Sequence, residues 1–186
     1  MAEEKLAIAI LAAAGFAETT FTDTQKMLLS RGRQVKVISP DGGLVQGWHD
    51  GSWGHHFMAD EDIAESLAAD FSGLILPDGK NSADTLIDNV HTKRLIAAFM
   101  DAEEPVLVVG DAMRLLVPAG VVAARRIAGA TEVDEEVARA GAELVTDQNL
   151  VTDGNLVTAT SDSSSAARLE AFLALIVERE AVPQAA

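Results

Sequence analysis

Pro105-Val106-Leu107-Val108-Val109-Gly110-Asp111-Ala112-Met113-Arg114-Leu115-Leu116 is the stretch that decides the fold. Valine and leucine run unbroken after the proline, which reads as a short strand covered on both faces, as inside a parallel sheet. A Gly-Asp turn follows, and then apolar residues at Ala112, Leu115, Leu116 and Ala119, a helical spacing. Strand, tight turn and helix together form the place where open α/β sheets keep their chemistry, beyond the carboxyl end of a central strand. The turn itself holds Gly110 and Asp111 and offers no cysteine, serine or histidine.

Working outward, residues 6–11, 34–39 and 71–76 read as further strands. The first leads into a small-residue loop at 12–15. A helix capped by Thr22 or Asp23 is expected next, stopping near Arg31-Gly32. Pro40-Asp41-Gly42-Gly43 closes the second strand. Between residues 44 and 57, Val45, Trp48, Trp53 and Phe57 flank Asp50-Gly51, a hairpin signal. A short helix is expected over 60–68. Helical spacing runs through 83–100 by way of Leu86, Val90, Leu95, Ile96 and Phe99. Beyond Gly120 a small strand over 121–127, an acidic helix over 132–140 and strand pieces at 143–146 and 150–152 are expected. Asp153-Gly154 marks a second hairpin, residues 169–177 a last helix, and 181–186 a flexible tail.

Strands alternating with helical patterns imply right-handed crossovers and a mainly parallel sheet with helices on both faces, plus two β-hairpins. With 186 residues, one domain over 1–180 is expected rather than two. Aromatics are only 4%, so close packing of Val, Leu, Ile and Ala must carry stability. The formal charge of −15 repels phosphates and anionic lipid, so neither nucleic acid nor membrane is expected as a partner. The chain has no cysteine, which excludes disulfides, thiolate metal sites and thiol catalysis together. No signal peptide is read in the first residues and no apolar run reaches membrane length, so a cytoplasmic location is expected.

Residues 6–20, Pro40 through Val45 and Trp53-Gly54, Leu74-Ile75-Leu76-Pro77-Asp78-Gly79, the Pro105 strand, Ala119-Gly120-Val121, Ala140-Gly141-Ala142 and the run from Val151 to Thr158 fall in an order that resembles the ThiJ/PfpI family. This is a branch of the class I glutamine-amidotransferase-like fold, and the resemblance covers roughly residues 5–178. It implies a flavodoxin-like three-layer sandwich, a dimer or higher oligomer, and a stress-related role. It also implies an elbow cysteine followed by histidine, supported by an acid from the first loop. Here the cysteine position is Gly110 and the histidine position Asp111. The first-loop acids stand as Gly15-Phe16-Ala17-Glu18-Thr19-Thr20, of which only Glu18 is retained. The Pro-Gly-Gly turn stands as Pro77-Asp78-Gly79, which alters the oxyanion-binding backbone implied by the resemblance. In its elbow the sequence is similar to the cysteine-less C-terminal domain of large-subunit catalases.

These departures imply a non-catalytic relative with a vestigial pocket for a small ligand or a protein, formed by Gly15, Glu18, Thr20, Asp78, Gly79, Gly110 and Asp111, and with no cofactor. The alternative is a hydrolase or lyase of the intracellular protease/amidase type, using Glu18 and Asp111 on a bound water. Asp111 reads first as the N-cap of the helix after the elbow, and Glu18 as a loop acid or a partner for backbone N–H groups. Gly110 suits an elbow of positive φ. His49, His55 and His56 cluster on the first hairpin, but adjacent histidines on a strand point to opposite faces, so a hairpin rim is expected there rather than a metal site. Trp48 and Trp53 fit a subunit contact.

Overall fold

The computed structural model describes residues 6–129 and 134–182. The chain opens with β1 (Ala7–Leu11), followed by a two-residue β2 (Phe16–Ala17) and α1 (Glu18–Ser30). Next come β3 (Val35–Ser39), the hairpin β4 (Leu44–His49) and β5 (Ser52–Met58), and the short β6 (Glu61–Asp62). β7 (Phe71–Leu76) leads to α2 (Lys80–Leu86) and α3 (Val90–Asp101), and β8 (Val106–Val109) to a 3-10 helix over Gly110–Leu116. The remainder is β9 (Arg126–Ala128), α4 (Asp134–Arg139), β10 (Glu143–Val145), the hairpin β11 (Leu150–Asp153) and β12 (Leu156–Ala159), and α5 (Ser165–Ala181).

Seven strands form the main sheet in the order β11-β12-β8-β7-β1-β3-β6. All its pairings are parallel except β11 with β12. Alternation along each strand divides the core. Ala7, Ala9, Leu11, Leu74, Leu76, Val106, Val108 and Leu156 face α2, α3, α4 and the 3-10 helix, whereas Ile8, Ile10, Ile75, Leu107, Val109 and Val157 face α1 and α5. That is the expected three-layer sandwich. Gly73 of β7 lets the α5 layer settle: a Cβ there would come within 2.7 Å of Phe172 Cζ. The connection after β1 runs toward β3, and that after β7 runs the other way toward β8. The sheet therefore reverses direction between β1 and β7, and the loops beyond those strands face a switch point.

Both hairpins occur where Asp-Gly predicts them. Asp50 (φ 47°) and Gly51 (φ 77°) are both left-handed, as a type I′ turn requires, and join His49 to its partner Ser52. Gly154 (φ 58°) turns the second.

Several expectations are corrected. α1 begins at Glu18, with no side-chain cap, so Thr22 and Asp23 lie inside it; the Thr22 hydroxyl instead donates back to the Glu18 carbonyl at 2.9 Å. Residues 60–67 are not helical, and only a single 3-10 turn, Ala68–Asp70, follows them. Asp60 accepts from the Val37 amide at 2.7 Å, and Glu61 and Asp62 pair with Ile38 and Ser39 as an edge strand. The helical spacing of 83–100 spans two helices, because Asn89 caps the second: its Oδ1 accepts from the amides of His91 and Thr92. The strand expected over 121–127 is only Arg126–Ala128, and the last helix is longer than 169–177 on both sides. The first positions of the acidic helix and all but the start of the tail lie outside the described residues, though Ala181 still belongs to α5.

Candidate functional site

Three loops meet beyond the carboxyl ends of β1, β7 and β8. The first turns at Gly15 (φ 89°), whose amide donates to the Gln46 carbonyl at 2.7 Å. It lies directly on the second: Ala17 donates to the Asp78 carbonyl at 2.7 Å, and a Cβ on Gly79 (φ 138°) would stand 2.6 Å from Phe16 Cα. Only glycine fits at 79, on both conformation and space. The third is the elbow itself, where Gly110 has φ 55°.

What fills the elbow is Asp78. A Cβ on Gly110 would lie no farther than 2.6 Å from the carboxyl carbon and both oxygens of that side chain. Asp78 Oδ1 accepts from two amides, Gly79 at 2.8 Å and Asp111 at 2.9 Å, while Oδ2 accepts from the Ser161 hydroxyl at 2.6 Å. Two backbone N–H groups converging on one oxygen are the arrangement by which acyl-transfer sites hold an oxyanion. Here they hold the protein's own carboxylate.

This overturns the reading of Asp111 as an N-cap. The 3-10 helix starts at Gly110, the position before it is Val109, and no side chain of its own caps it. The capping oxygen comes from Asp78 across the sheet end. Asp111 sits within the first turn, half-buried, and its carboxyl is pushed above the usual range by burial first and by the Asp78 charge second.

Glu18 is placed elsewhere. Its side chain packs into the first hairpin beside Gly47 and Gly54, is 8% exposed, and accepts from the His55 amide at 2.8 Å through Oε2. Oε1 meets His55 Nδ1 at 2.5 Å. Gly47 and Gly54 make the room: a Cβ on Gly54 would overlap Oε2, and one on Gly47 would stand 2.8 Å from it. The hydrogen bond from the His55 ring is the main reason the Glu18 carboxyl is held below its ordinary value. Glu18 and Asp111 thus have separate neighbours. His55 and His49 act on the charge of the former, and Asp78, Lys80, Arg114 and Asp84 on that of the latter. Thr20 follows in the first turn of α1, half-buried, its carbonyl accepting from the Thr24 hydroxyl.

The Glu18–His55 contact has a measurable consequence. A depressed carboxyl contributes stability that is fully present above its unfolded pKa and is lost as pH falls through the folded value. Glu18→Gln is therefore expected to lower the melting temperature at pH 7, and the gap to the parent should close at pH 3. An equal gap at both pH values would remove the linkage.

Two roles in the site were not read from the sequence: His55, taken there as a hairpin-rim histidine, is the partner of Glu18, and Ser161 is a donor to Asp78. Each depends on a contact between distant segments, and no local pattern marks it. Among the described residues no group of three or more His, Asp or Glu side chains is placed to hold a metal ion, and no helix is long and apolar enough to cross a membrane.

The fold agrees with known proteins. The model of the DJ-1/PfpI family matches residues 6–178. The chain is 25% identical over 138 residues to General stress protein 18 of Bacillus subtilis, covering 74% of this chain and 78% of that one. It superposes on a ThiJ/PfpI domain protein from Brachyspira murdochii with a TM-score of 0.82 at 22% identity, over 92% of this chain and 95% of the other. A two-domain protein from Anabaena variabilis, containing DJ-1/ThiJ/PfpI-like and ferritin-like domains, is similar with a TM-score of 0.85 at 24% identity; the match covers 97% of this chain and 50% of that protein. With its sandwich, its elbow and the match along nearly its whole length, the chain belongs to the DJ-1/PfpI family.

Proposed function

We propose that this is a non-catalytic member of its family, a binding module that self-associates and serves in stress physiology. Its binding surface is the loop cluster of Gly15, Thr20, Asp78, Gly79, Gly110 and Asp111, with Glu18 on the side of the first hairpin. The observation that carries this reading is the Asp78 carboxylate lodged where a side chain at the elbow would stand, held by the amides of Gly79 and Asp111. An elbow of this kind has no nucleophile, and its oxyanion-binding amides are already engaged. Amidase, glyoxalase-type and deglycase assays are expected to read at the buffer rate. Turnover above buffer that vanishes in Asp111→Ala would refute the reading and favour carboxylate chemistry instead.

Similarity to a general stress protein supports the physiological part of the reading. The likeness of the elbow to the catalase appendage supports a role exerted through association with another protein. The first hairpin supports self-association: Trp48 and Trp53 pack edge to face at 5.2 Å, and Trp53, Leu44 and Met58 are all more than half exposed on it. Light scattering is expected to give twice the 19.6 kDa chain mass or more, and Trp53→Glu to shift it toward the monomer. A monomeric parent protein would remove self-association from the account.

A further inference from the structure

Arg168, in the first turn of α5, is 4% exposed. One of its N–H groups donates to Ser165 Oγ at 2.8 Å, and Nη1 has no hydrogen-bond partner. No carboxylate among the described residues stands at ion-pair distance from it. The carboxylates whose charge acts on it are those of Asp78 at the elbow and Asp23 on α1. Asp78 cannot serve as its direct counter-ion in this arrangement. Its oxygens are turned to the amides of Gly79 and Asp111 and the hydroxyl of Ser161. Buried cations are almost always paired, because taking a charge out of water without a counter-charge is costly. A second buried donor is also left over: Thr160 Oγ1, in the connection between β12 and α5, has no partner. Two of the three buried side-chain polar atoms without partners among the described residues therefore lie in residues 160–168. The same segment forms the N-terminal end of a 17-residue helix, whose dipole favours negative charge.

We propose that the connection between β12 and α5 binds a small oxyanion, a carboxylate or phosphate group, as the missing counter-charge of Arg168. Thr160 supplies a hydroxyl to the same group. Asp78 stays on the elbow amides, so the anion enters on the α5 side of that carboxylate. Asp78 and Asp23 oppose it electrostatically, which makes the site one for weak, exchangeable binding. This names the ligand chemistry of the binding reading above and rests on it.

The test is thermal unfolding of the full chain titrated with sodium acetate and, separately, sodium phosphate, against sodium chloride at equal ionic strength. A saturable rise in melting temperature over chloride is expected with at least one of the two. Acetate alone would assign an organic carboxylate, phosphate alone a phosphate group, and both the shared chemistry. Arg168→Met is expected to fold, to melt no lower than the parent in chloride, and to shift the midpoint of the response at least tenfold. Thr160→Val should shift it less. Should Arg168→Met fail to fold, the side-chain signals of the 15N-arginine-labelled parent decide: one arginine should move with the midpoint seen in melting. No response beyond chloride, an unshifted midpoint in Arg168→Met, or arginine signals that stay still would overturn the proposal. Such a failure leaves turnover at the buffer rate, whereas failure of the binding reading appears as turnover.

Discussion

Gly110→Cys, which places a thiol at the elbow, is expected to destabilise the protein by about 3 kcal/mol or more. Two effects combine. The residue must adopt φ 55°, which costs a side chain with a Cβ about 1–2 kcal/mol. The new Cβ also overlaps the Asp78 carboxyl group, so Asp78 must leave the elbow and surrender its bonds to Gly79, Asp111 and Ser161. The two positions are therefore coupled. In Asp78→Gly the space opens, and Gly110→Cys in that background should cost about 1–2 kcal/mol less than in the parent. Denaturant unfolding of the four proteins measures this. Additive effects would show that Asp78 does not occupy the volume of the missing side chain.

The second large effect is structural. Phe172→Ala is expected to cost about 3–5 kcal/mol, because a fully buried ring is removed and the site cannot collapse around the gap. Phe172 projects from α5 onto the sheet, and its ring rests where Gly73 leaves β7 bare. No side chain at 73 stands ready to fill the cavity. For a chain of this length the loss corresponds to a fall of about 10 °C in melting temperature. Gly73→Ala attacks the same contact from the other side, since its Cβ would meet the ring at 2.7 Å. A fall of only a degree or two in Phe172→Ala would mean that α5 is not seated as described.

The layers and the elbow were legible in the sequence because their signals are local. Unbroken apolar runs at 71–76 and 106–109 mark strands buried on both faces, and Asp50-Gly51 and Asp153-Gly154 specify their hairpins by backbone conformation alone. The helix expected over 60–68 failed because Asp60 and Glu61 are used by β3, a partner more than twenty residues away. The break at Asn89 was hidden by apolar residues that keep helical spacing across it, although the cap residue itself was in view.

At the site, Gly110 and Asp78 each stood out as a departure from the family pattern. Their relation did not. A glycine gained at one position and a carboxylate gained at another read as two losses until the coordinates bring them together, 32 residues apart in the chain, as one exchange of volume. Asp111 misled for the same reason. Its place just after the strand suits a cap by local statistics, but the capping oxygen is supplied from β7's loop. Glu18 was recognised as an acid available to backbone N–H groups, and His55 on β5 of the first hairpin supplies one.

The central claim is that the protein's own carboxylate occupies the elbow in place of a reactive side chain. A crystal structure at a resolution that orders side-chain oxygens tests it most directly. The account predicts Asp78 Oδ1 within hydrogen-bond distance of both the Gly79 and Asp111 amides, with Ser161 on the other oxygen. An elbow left open, with Asp78 turned out to solvent and those two amides free for another group, would contradict it.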